Sequence, residues 1–333
     1  MKLFLISAYP FHSKDNFAVS WLRLAAALDT VKKHSITDNP EEADIILFTE
    51  HHPPSDPYIF NLFKNPIYKK YKEKVILYQD ADNPIALVPT ISPSIEKNYR
   101  KKGFAETAPY IARHTNNESI RIVAKDIEKK FLFSFVGAAR THEIRDKILQ
   151  INYKNAFLKD TSNKNLWLLN PLDKLKFEEE YIKICHKSYF VLCPRGIGVN
   201  SYRLYEVMEM GLPPVIIADQ WIPLKGPNWE EFSIIIPENE IINIPEILLK
   251  KKLEAQKMGD LARENWEQWF SKKASFNVIA NLCEEIHRDR SKNSFKTLIY
   301  SYGQFLRPFH FKNILRYLKN SFQRNIKKYM AIF

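Results

Sequence analysis

The sequence predicts an α/β protein of two domains, each built on a parallel β-sheet, followed by a basic helical extension. Three observations support this prediction. Short apolar runs alternate with amphipathic stretches along most of the chain, as in folds whose helices cover a parallel sheet. A glycine-bearing turn separates two of these runs between Lys187 and Leu224. The 333 residues, 45% of them hydrophobic, are enough for two separate cores.

The first half of the chain alternates between predicted strands and helices. Strands are expected at Lys2 to Ala8, Ala43 to Thr49 and Lys74 to Gln79, and helices at Ala18 to Lys33, Tyr58 to Lys72 and Ser94 to Lys101. In the first helix, Trp21, Leu24, Ala25 and Leu28 are expected to lie on one face. Polar residues follow each strand, so a parallel sheet would gather them at its carboxyl edge, where ligands bind in such folds.

A crossover between the domains is expected between about Asn116 and Lys130, before the apolar run at Phe131 to Val136. This gives an N-terminal domain at residues 1–125, a second domain at 126–287 and an extension at 288–333. The second domain continues with predicted helices at Thr141 to Gln150, Leu175 to His186, Pro245 to Met258 and Asp260 to His287, and with strands around Ala156 to Lys159 and near Ile236.

The unit from Lys187 to Leu224 is the most informative part of the sequence. Tyr189 to Cys193 is a buried-strand pattern, and the turn Arg195 to Ser201 contains Gly196 and Gly198, which let a ligand approach the backbone. Ser201 is a predicted N-cap of a helix that ends before Gly211, and Val215 to Ala218 is the next strand. Such a unit offers an anion-binding site, with diphosphate as the expected anion.

Arg203 and Glu206 lie three residues apart on this helix and therefore share a face. Arg203 could hold phosphate through two hydrogen bonds, and Glu206 could accept hydrogen bonds from sugar or ribose hydroxyls. A surface ion pair is the alternative interpretation. Arg140 follows Gly137 just before another predicted helix, so a second anion-binding arginine and an exposed turn arginine remain open alternatives for it.

The run from Ser188 to Asp219, which contains CPRGIGVNS, resembles the signature of exostosin-type glycosyltransferases. Phe131 to Arg145 and Asn39 to Thr49 resemble other parts of that family's sequence. The resemblance implies the GT-B fold, in which two Rossmann-like domains face each other across a cleft, a nucleotide-sugar donor, and transfer with inversion. It also implies that Arg195, Gly196, Ser201, Arg203 and Glu206 bind the donor.

An inverting transfer needs a base for the acceptor hydroxyl, expected from the first domain across the cleft. Asp80 is the first candidate and His12 the second, followed by Asp82 and Glu50. Asp80-Ala81-Asp82 also spells D-x-D, a metal-binding pattern of another glycosyltransferase fold. It lies in the domain opposite the expected donor site, so neither a metal nor another cofactor is expected.

The three cysteines, Cys185, Cys193 and Cys283, contain no CxxC pair, which favours a reducing compartment over disulfides or a zinc site. The N-terminal apolar run is too short for a signal peptide, and no stretch has the length of a membrane span. We therefore expect a cytoplasmic protein.

Residues 288–333 contain eleven of the chain's Lys and Arg residues and one Asp, so they carry most of the net charge of +12. Aromatic and aliphatic residues alternate with these cations, which favours binding to an anionic membrane surface and hence a peripheral location on its inner face. The alternative is that these residues pack on the body as ordinary helices. Nucleic acid is not expected as a partner, because no recognised binding motif accompanies the charge.

The predicted function is transfer of a sugar, from a UDP-sugar in the first instance, to a saccharide acceptor. A cytoplasmic enzyme with a membrane-binding extension suggests a lipid-linked acceptor in the assembly of a bacterial surface polysaccharide such as O-antigen or capsule. Two alternatives remain at this point. One is a fucosyltransferase-like enzyme that uses a GDP-sugar, and the other is a non-catalytic module that binds nucleotide or polysaccharide.

Overall fold

The fold was analysed in a computed structural model. It describes residues 1–9, 17–50, 56, 58–110, 117, 119–124, 127–164, 168–290, 294–317 and 319. All structural statements below refer to these residues.

The first lobe contains a six-stranded sheet in which every neighbouring pair is parallel. Its order is β2-β1-β3-β4-β5-β6. The strands are β1 (Lys2–Ile6), β2 (Ser35–Ile36), β3 (Ile45–Glu50), β4 (Val75–Gln79), β5 (Thr90–Ser92) and β6 (Ala105–Thr107). All residues of β3 and β4 are buried, as expected for central strands covered by helices on both faces.

The second lobe contains a five-stranded parallel sheet of order β11-β10-β9-β7-β8. Its strands are β7 (Phe131–Gly137), β8 (Ala156–Asp160), β9 (Ser188–Pro194), β10 (Pro214–Ile217) and β11 (Ile234–Ile235). In the sheet order, β9 lies between β7 and β10, so the turns after β7 and β9 leave the same edge of the sheet. Loops at this edge are where open α/β sheets bind ligands.

Among the described residues, eleven α-helices connect the strands and extend the chain. They are α1 (Phe17–Leu28), α2 (Phe60–Lys64), α3 (Pro66–Lys70), α4 (Glu143–Leu149), α5 (Pro171–His186), α6 (Tyr202–Glu209), α7 (Trp229–Phe232), α8 (Ile244–Lys251), α9 (Ala255–Trp269), α10 (Lys272–Asp289) and α11 (Ser294–Gly303). A last helix covers residues 308–317.

The two lobes meet at the carboxyl ends of their sheets. A side chain at Gly198, in the turn after β9, would stand 2.8 Å from Ser94 Oγ and 2.9 Å from the Asp82 carbonyl oxygen. Asn200 Nδ2 donates to the Pro93 carbonyl at 3.2 Å. The loops that follow β4 and β5 therefore face the glycine turn. This is the two-lobed GT-B arrangement expected from the resemblance.

The chain returns to the first lobe in α10. Phe276, Ile279 and Cys283 of this helix are fully buried in one cluster with Leu3 of β1 and Leu22 of α1. The preceding helix α9 buries Ala262 in the core of the second lobe. The predicted continuous helix from Asp260 to His287 is wrong, because it is split where the chain passes from one core to the other.

Another local prediction was also wrong. No α-helix forms over Ser94 to Lys101, where a single 3-10 turn spans Lys97–Tyr99. The amides of Lys97 and Asn98 donate to the Gln220 carbonyl and side chain of the other lobe at 2.8 and 3.2 Å. The buried face of α1 is formed by Ala18, Leu22 and Ala25, whereas Leu24 and Leu28 are exposed.

Candidate functional site

The glycine turn is held between β9 and α6 as the sequence predicts. The Ser201 hydroxyl accepts a hydrogen bond from the amide of Arg203 at 3.3 Å and caps α6. Gly211 follows the helix with φ of +74°, the left-handed conformation that glycine adopts readily. Leu204, Val207 and Met208 are buried, so α6 presents Arg203 and Glu206 on its other side.

Arg145 lies on the buried side of α4 and holds the backbone of the glycine turn by hydrogen bonds. It is 8% exposed, and its guanidinium donates to the carbonyl of Arg195 at 2.7 Å and to the carbonyl of Pro194 at 3.2 Å. A side chain at Gly196 would stand 3.1 Å from Arg145 Nη2. Glycine at 196 thus allows the guanidinium to approach the backbone of the turn.

Arg203 lies across the end of β7. Its Nη2 donates to the Val136 carbonyl at 2.5 Å, while its Nε and Nη1 atoms are buried and have no hydrogen-bond partner among the described residues. A side chain at Gly137 would stand 2.8 Å from Arg203 Nη2, so glycine is required for this approach. Buried guanidinium donors without partners are costly, and an anion would satisfy them.

Arg203 and Arg145 both lie against the ring of Phe135, and the charge of Arg203 affects the protonation of Arg145. The Cζ atoms of Arg203 and Arg145 lie 4.9 and 5.8 Å from the centre of the Phe135 ring. Burial and the neighbouring charge of Arg203 lower the pKa of Arg145 to about 9. Both effects disfavour the protonated form, so an anion bound nearby would stabilise the pair.

A cavity of about 310 Å³ opens beside Arg203, within the usual size range of small-molecule sites. The polar and charged side chains that line it are Asn117, Arg140, Thr141, Arg145, Thr161, Lys164, Lys174, Glu178, Tyr181, Arg203 and Glu206. Phe177 of α5 adds an aromatic wall, and Lys164 Nζ lies 5.6 Å from the centre of its ring. We call this space the arginine cavity. Cations outnumber carboxylates along its wall, as an anionic ligand requires.

The structure brings some of the predicted donor-binding residues together and leaves others apart. Arg140, Arg203 and Glu206 line the arginine cavity, and Arg140 is fixed by a 3.0 Å hydrogen bond to the Ser162 carbonyl. Arg195 and Ser201 are absent from its described lining. The half-buried side chain of Arg195 lies beside the turn itself, with Nη2 3.5 Å from the Ile197 carbonyl.

The predicted catalytic candidates of the first lobe occupy different positions. Asp80 is 8% exposed at the carboxyl end of β4, and Asp82 Oδ1 lies 3.0 Å from the position of a side chain at Gly198. Glu50 is buried, where it accepts from the Ala8 amide at 2.6 Å and from the Ser7 hydroxyl at 2.8 Å, so it links β1 to β3. His12 lies outside the described residues.

No group of three or more His, Cys, Asp or Glu side chains suited to a metal ion occurs within the described part of the chain. Asp80 and Asp82 are therefore not part of such a group. Independence from metal stays a prediction. Cys193, predicted as a core residue, is buried, and burial raises the pKa of its thiol.

Arg145 is the site residue that the sequence reasoning did not single out. It was noted only as the last residue of a segment that resembles the family. A local signal was present, because Arg145 lies between Ile144 and Ile148, which are both buried on the same side of α4. A cation on an apolar helix face requires buried acceptors, and here they are the carbonyls of the glycine turn.

The site residues from Phe135 to Glu206 lie in a segment that matches a known protein family. Residues 68–251 match the model of the exostosin GT47 domain, more than half of the chain. An exostosin-1 homologue of Caenorhabditis elegans is 26% identical over 195 residues, which cover 54% of this chain and 50% of that protein. Exostosin-1 of Drosophila melanogaster is 24% identical over 179 residues, covering 49% of this chain and 23% of that protein.

The chain thus spans half or less of the length of these relatives. Among solved structures, a sucrose-phosphate synthase from Thermosynechococcus elongatus is similar with a TM-score of 0.44 and 12% identity, covering 86% of this chain and 99% of that one. The family match includes β7, β9, α6 and every residue of the glycine turn. The chain belongs to the exostosin GT47 family of glycosyltransferases, as its sequence predicted.

Proposed function

We propose that the protein transfers a sugar from a nucleotide-sugar donor to a saccharide acceptor, with the donor diphosphate held in the arginine cavity. The main support is the pair of buried guanidinium donors of Arg203, Nε and Nη1, which have no partner among the described residues. A diphosphate oxygen would accept hydrogen bonds from both atoms, and its negative charge would offset the positive charges of Arg203 and Arg145. Arg140 extends the positive charge along the same wall.

The remaining groups fit the rest of such a donor. Glu206 lines the cavity one helical turn after Arg203, where its carboxylate can accept hydrogen bonds from ribose hydroxyls. Phe177 offers an apolar surface for a planar base. A UDP-sugar is the proposed donor, by resemblance to the family, and a GDP-sugar is the alternative that a ligand screen would distinguish.

In the proposed reaction an acceptor hydroxyl attacks the anomeric carbon of the donor sugar and inverts it. The bond from that carbon to the diphosphate oxygen breaks, and the diphosphate leaves with the electron pair beside Arg203. A carboxylate takes the proton of the hydroxyl. We assign this base to the loop Asp80–Asp82, with Asp80 as the first candidate, because this loop faces the glycine turn at Gly198.

We propose a lipid-linked saccharide as the acceptor and the inner face of a membrane as the place of transfer. The support is the concentration of positive charge in residues 288–333. Assembly of a bacterial surface polysaccharide such as O-antigen or capsule is the proposed role, by inference from this location. No helix among the described residues has the length and apolarity needed to cross a bilayer.

Nucleotide binding to the full chain tests the donor site. Calorimetric titration with UDP, GDP and their sugar conjugates should give one preferred ligand. Arg203→Ala should weaken its binding roughly 10- to 100-fold, as expected for lost hydrogen bonds to a charged group. Arg203→Lys should restore little of the nucleotide affinity, because an ammonium group cannot form the parallel hydrogen bonds of a planar guanidinium group.

Arg23→Ala is the matched control, since Arg23 forms an exposed ion pair with Asp38 in the first lobe. It should bind the nucleotide like the unaltered protein. The proposed function fails if folded Arg203→Ala binds every nucleotide as tightly as the unaltered chain. Tight binding of the nucleotide sugar with neither transfer to any acceptor nor hydrolysis of the donor would favour the non-catalytic module instead.

A further inference from the structure

The helices that follow α10 are attached to the first lobe by their polar side. Ser301, Gln304, Arg307 and His310 are each less than 10% exposed, so all four side chains face the body of the protein. Gln304 and Arg307 lie where the chain leaves α11, in the 3-10 turn Gln304–Leu306 and directly after it. Ring contacts accompany them, because Tyr300 packs on Phe104 and Phe305 on Tyr58 with ring centres 5.7 and 5.3 Å apart.

Specific hydrogen bonds hold the polar side in place. Gln304 Nε2 donates to the Ala86 carbonyl at 3.1 Å, and its Oε1 accepts from the Ala86 amide at 3.3 Å. Arg307 donates to the Pro84 carbonyl at 3.2 Å and pairs with Glu96 at 3.3 Å. These contacts fix which side of the extension faces outward.

The outward side is apolar. Phe295, Leu298, Ile299, Tyr302, Leu306 and Phe309 are between 48% and 74% exposed in the described part of the chain. We call these six side chains the outer tail face. Large exposed apolar side chains grouped on one short segment are typical of a binding surface for a protein or a membrane.

Positive charge accompanies the outer tail face. Lys296, Lys312, Arg316 and Lys319 are exposed on the same helices. A groove between α11 and the first lobe has a volume of about 1,230 Å³, and its walls combine Leu298 and Tyr302 with Lys69 and Lys72 of the body. Apolar side chains surrounded by cations fit an anionic bilayer, where the former enter the headgroup region and the latter meet lipid phosphates.

We propose that the outer tail face is the surface by which the protein lies on an anionic lipid bilayer. The contacts of Gln304 and Arg307 hold the inner side of the extension against residues 84–86, and the outer tail face belongs to the same short segment. These residues continue the Asp80–Asp82 loop, to which the proposed function assigns the base. A lipid-linked acceptor would therefore reach the interlobe cleft from the side on which the bilayer lies. This inference deepens the proposed function, because it names the surface for the membrane location proposed there, and the identification of the acceptor rests on that function.

Vesicle co-sedimentation of the full chain tests the proposal. The protein should bind vesicles of phosphatidylcholine mixed with phosphatidylglycerol, and it should bind pure phosphatidylcholine vesicles much more weakly. The double variant Leu298→Glu/Leu306→Glu should lose binding at least tenfold. The control Leu249→Glu/Leu253→Glu alters leucines of the second lobe that are at least as exposed, and it should bind like the unaltered protein.

Charge is tested separately with Lys296→Gln/Lys312→Gln/Arg316→Gln. Each cation near the surface contributes about fivefold to partitioning, so this variant should lose roughly 100-fold. Lys154→Gln/Lys257→Gln, on the second lobe, is its control. UDP and GDP binding should be unchanged in all these variants, so that failure of the membrane surface and failure of the donor site are distinguishable.

Three results would overturn the proposal. The first is vesicle binding that is equal in the unaltered protein and in Leu298→Glu/Leu306→Glu when both are folded. The second is no vesicle binding together with a dimer, seen by analytical ultracentrifugation, that Leu298→Glu/Leu306→Glu dissociates. That result would make the outer tail face an interface between two copies of the chain. Salt-sensitive binding to nucleic acid without any binding to vesicles would count equally against it.

Discussion

At the scale of single residues, the candidate site depends on two arginines with different roles. Arg203 lines the cavity and has two buried donors without a partner among the described residues, whereas Arg145 uses its donors on the backbone of the glycine turn. Both lie against Phe135. Arg145 is thus a positioning residue for the turn, and Arg203 is the expected contact of the ligand.

Replacing Arg145 with Met should destabilise the protein and weaken donor binding. The substitution keeps an apolar side chain of similar length but leaves the carbonyls of Pro194 and Arg195 buried without these donors. An unsatisfied buried polar group costs about 1–3 kcal/mol, which is the expected loss in the free energy of unfolding. Urea unfolding monitored by circular dichroism measures it. Unchanged stability together with unchanged nucleotide affinity would contradict the positioning role.

At the scale of elements, the site is formed where β7 and β9 end and α4 and α6 begin. The two strands are neighbours in the sheet, so the helices that follow them converge on one edge. Gly137 and Gly196 lie where arginine side chains from these helices cross the strand ends. The glycines thus serve close packing, since neither has a positive φ.

Gly137→Ala tests this packing. The added methyl group would lie 2.8 Å from Arg203 Nη2 and 2.9 Å from the Phe135 ring, so both side chains must move. We expect the affinity for the preferred nucleotide to fall at least tenfold, as for a displaced bidentate contact. Gly303→Ala is the matched control, because no atom lies within 4 Å of its added methyl group. Calorimetric titration compares the two, and equal affinities would contradict the expected displacement of Arg203.

At the scale of the whole molecule, the first lobe is completed by a helix from the far end of the sequence. Helix α10 brings Phe276, Ile279 and Cys283 into the core beside β1 and α1. The chain therefore crosses between the lobes twice, once before β7 and once between α9 and α10. Residues 1–125 alone would lack part of their own core.

Phe276→Ala in the full chain should destabilise the first lobe selectively. Truncation of a buried phenylalanine costs about 3–5 kcal/mol because of lost burial and the cavity left behind. Native-state hydrogen exchange should show faster exchange of the β3 amides and little change in β9. Lys273→Ala, at an exposed position of the same helix, should alter neither strand. Equal loss of protection in β3 and β9 would instead mean that the lobes unfold together.

The sequence alone determined the features that depend on local chemistry. The alternation of strands and helices, the cap at Ser201, the stop at Gly211 and the family signature are all encoded within short segments. The predicted presence of Arg203 and Glu206 on one helical face follows from helical spacing in the same way. Local patterns also predicted that residues 288–333 would combine charge with apolar surface.

Only the tertiary structure decided which of these residues meet. The proximity of Arg145 to Arg195 depends on the packing of α4 against the end of β9, and nothing local encodes that distance. The missing helix at Ser94 to Lys101 has the same cause, because contacts with the second lobe outweigh local helix propensity. The position of α10 depends in the same way on its contacts with the core of the first lobe. The buried side of residues 294–317 was likewise undetermined by periodicity. Hydrogen bonds to Pro84 and Ala86, together with the ring contacts of Tyr300 and Phe305, fix which side faces the body.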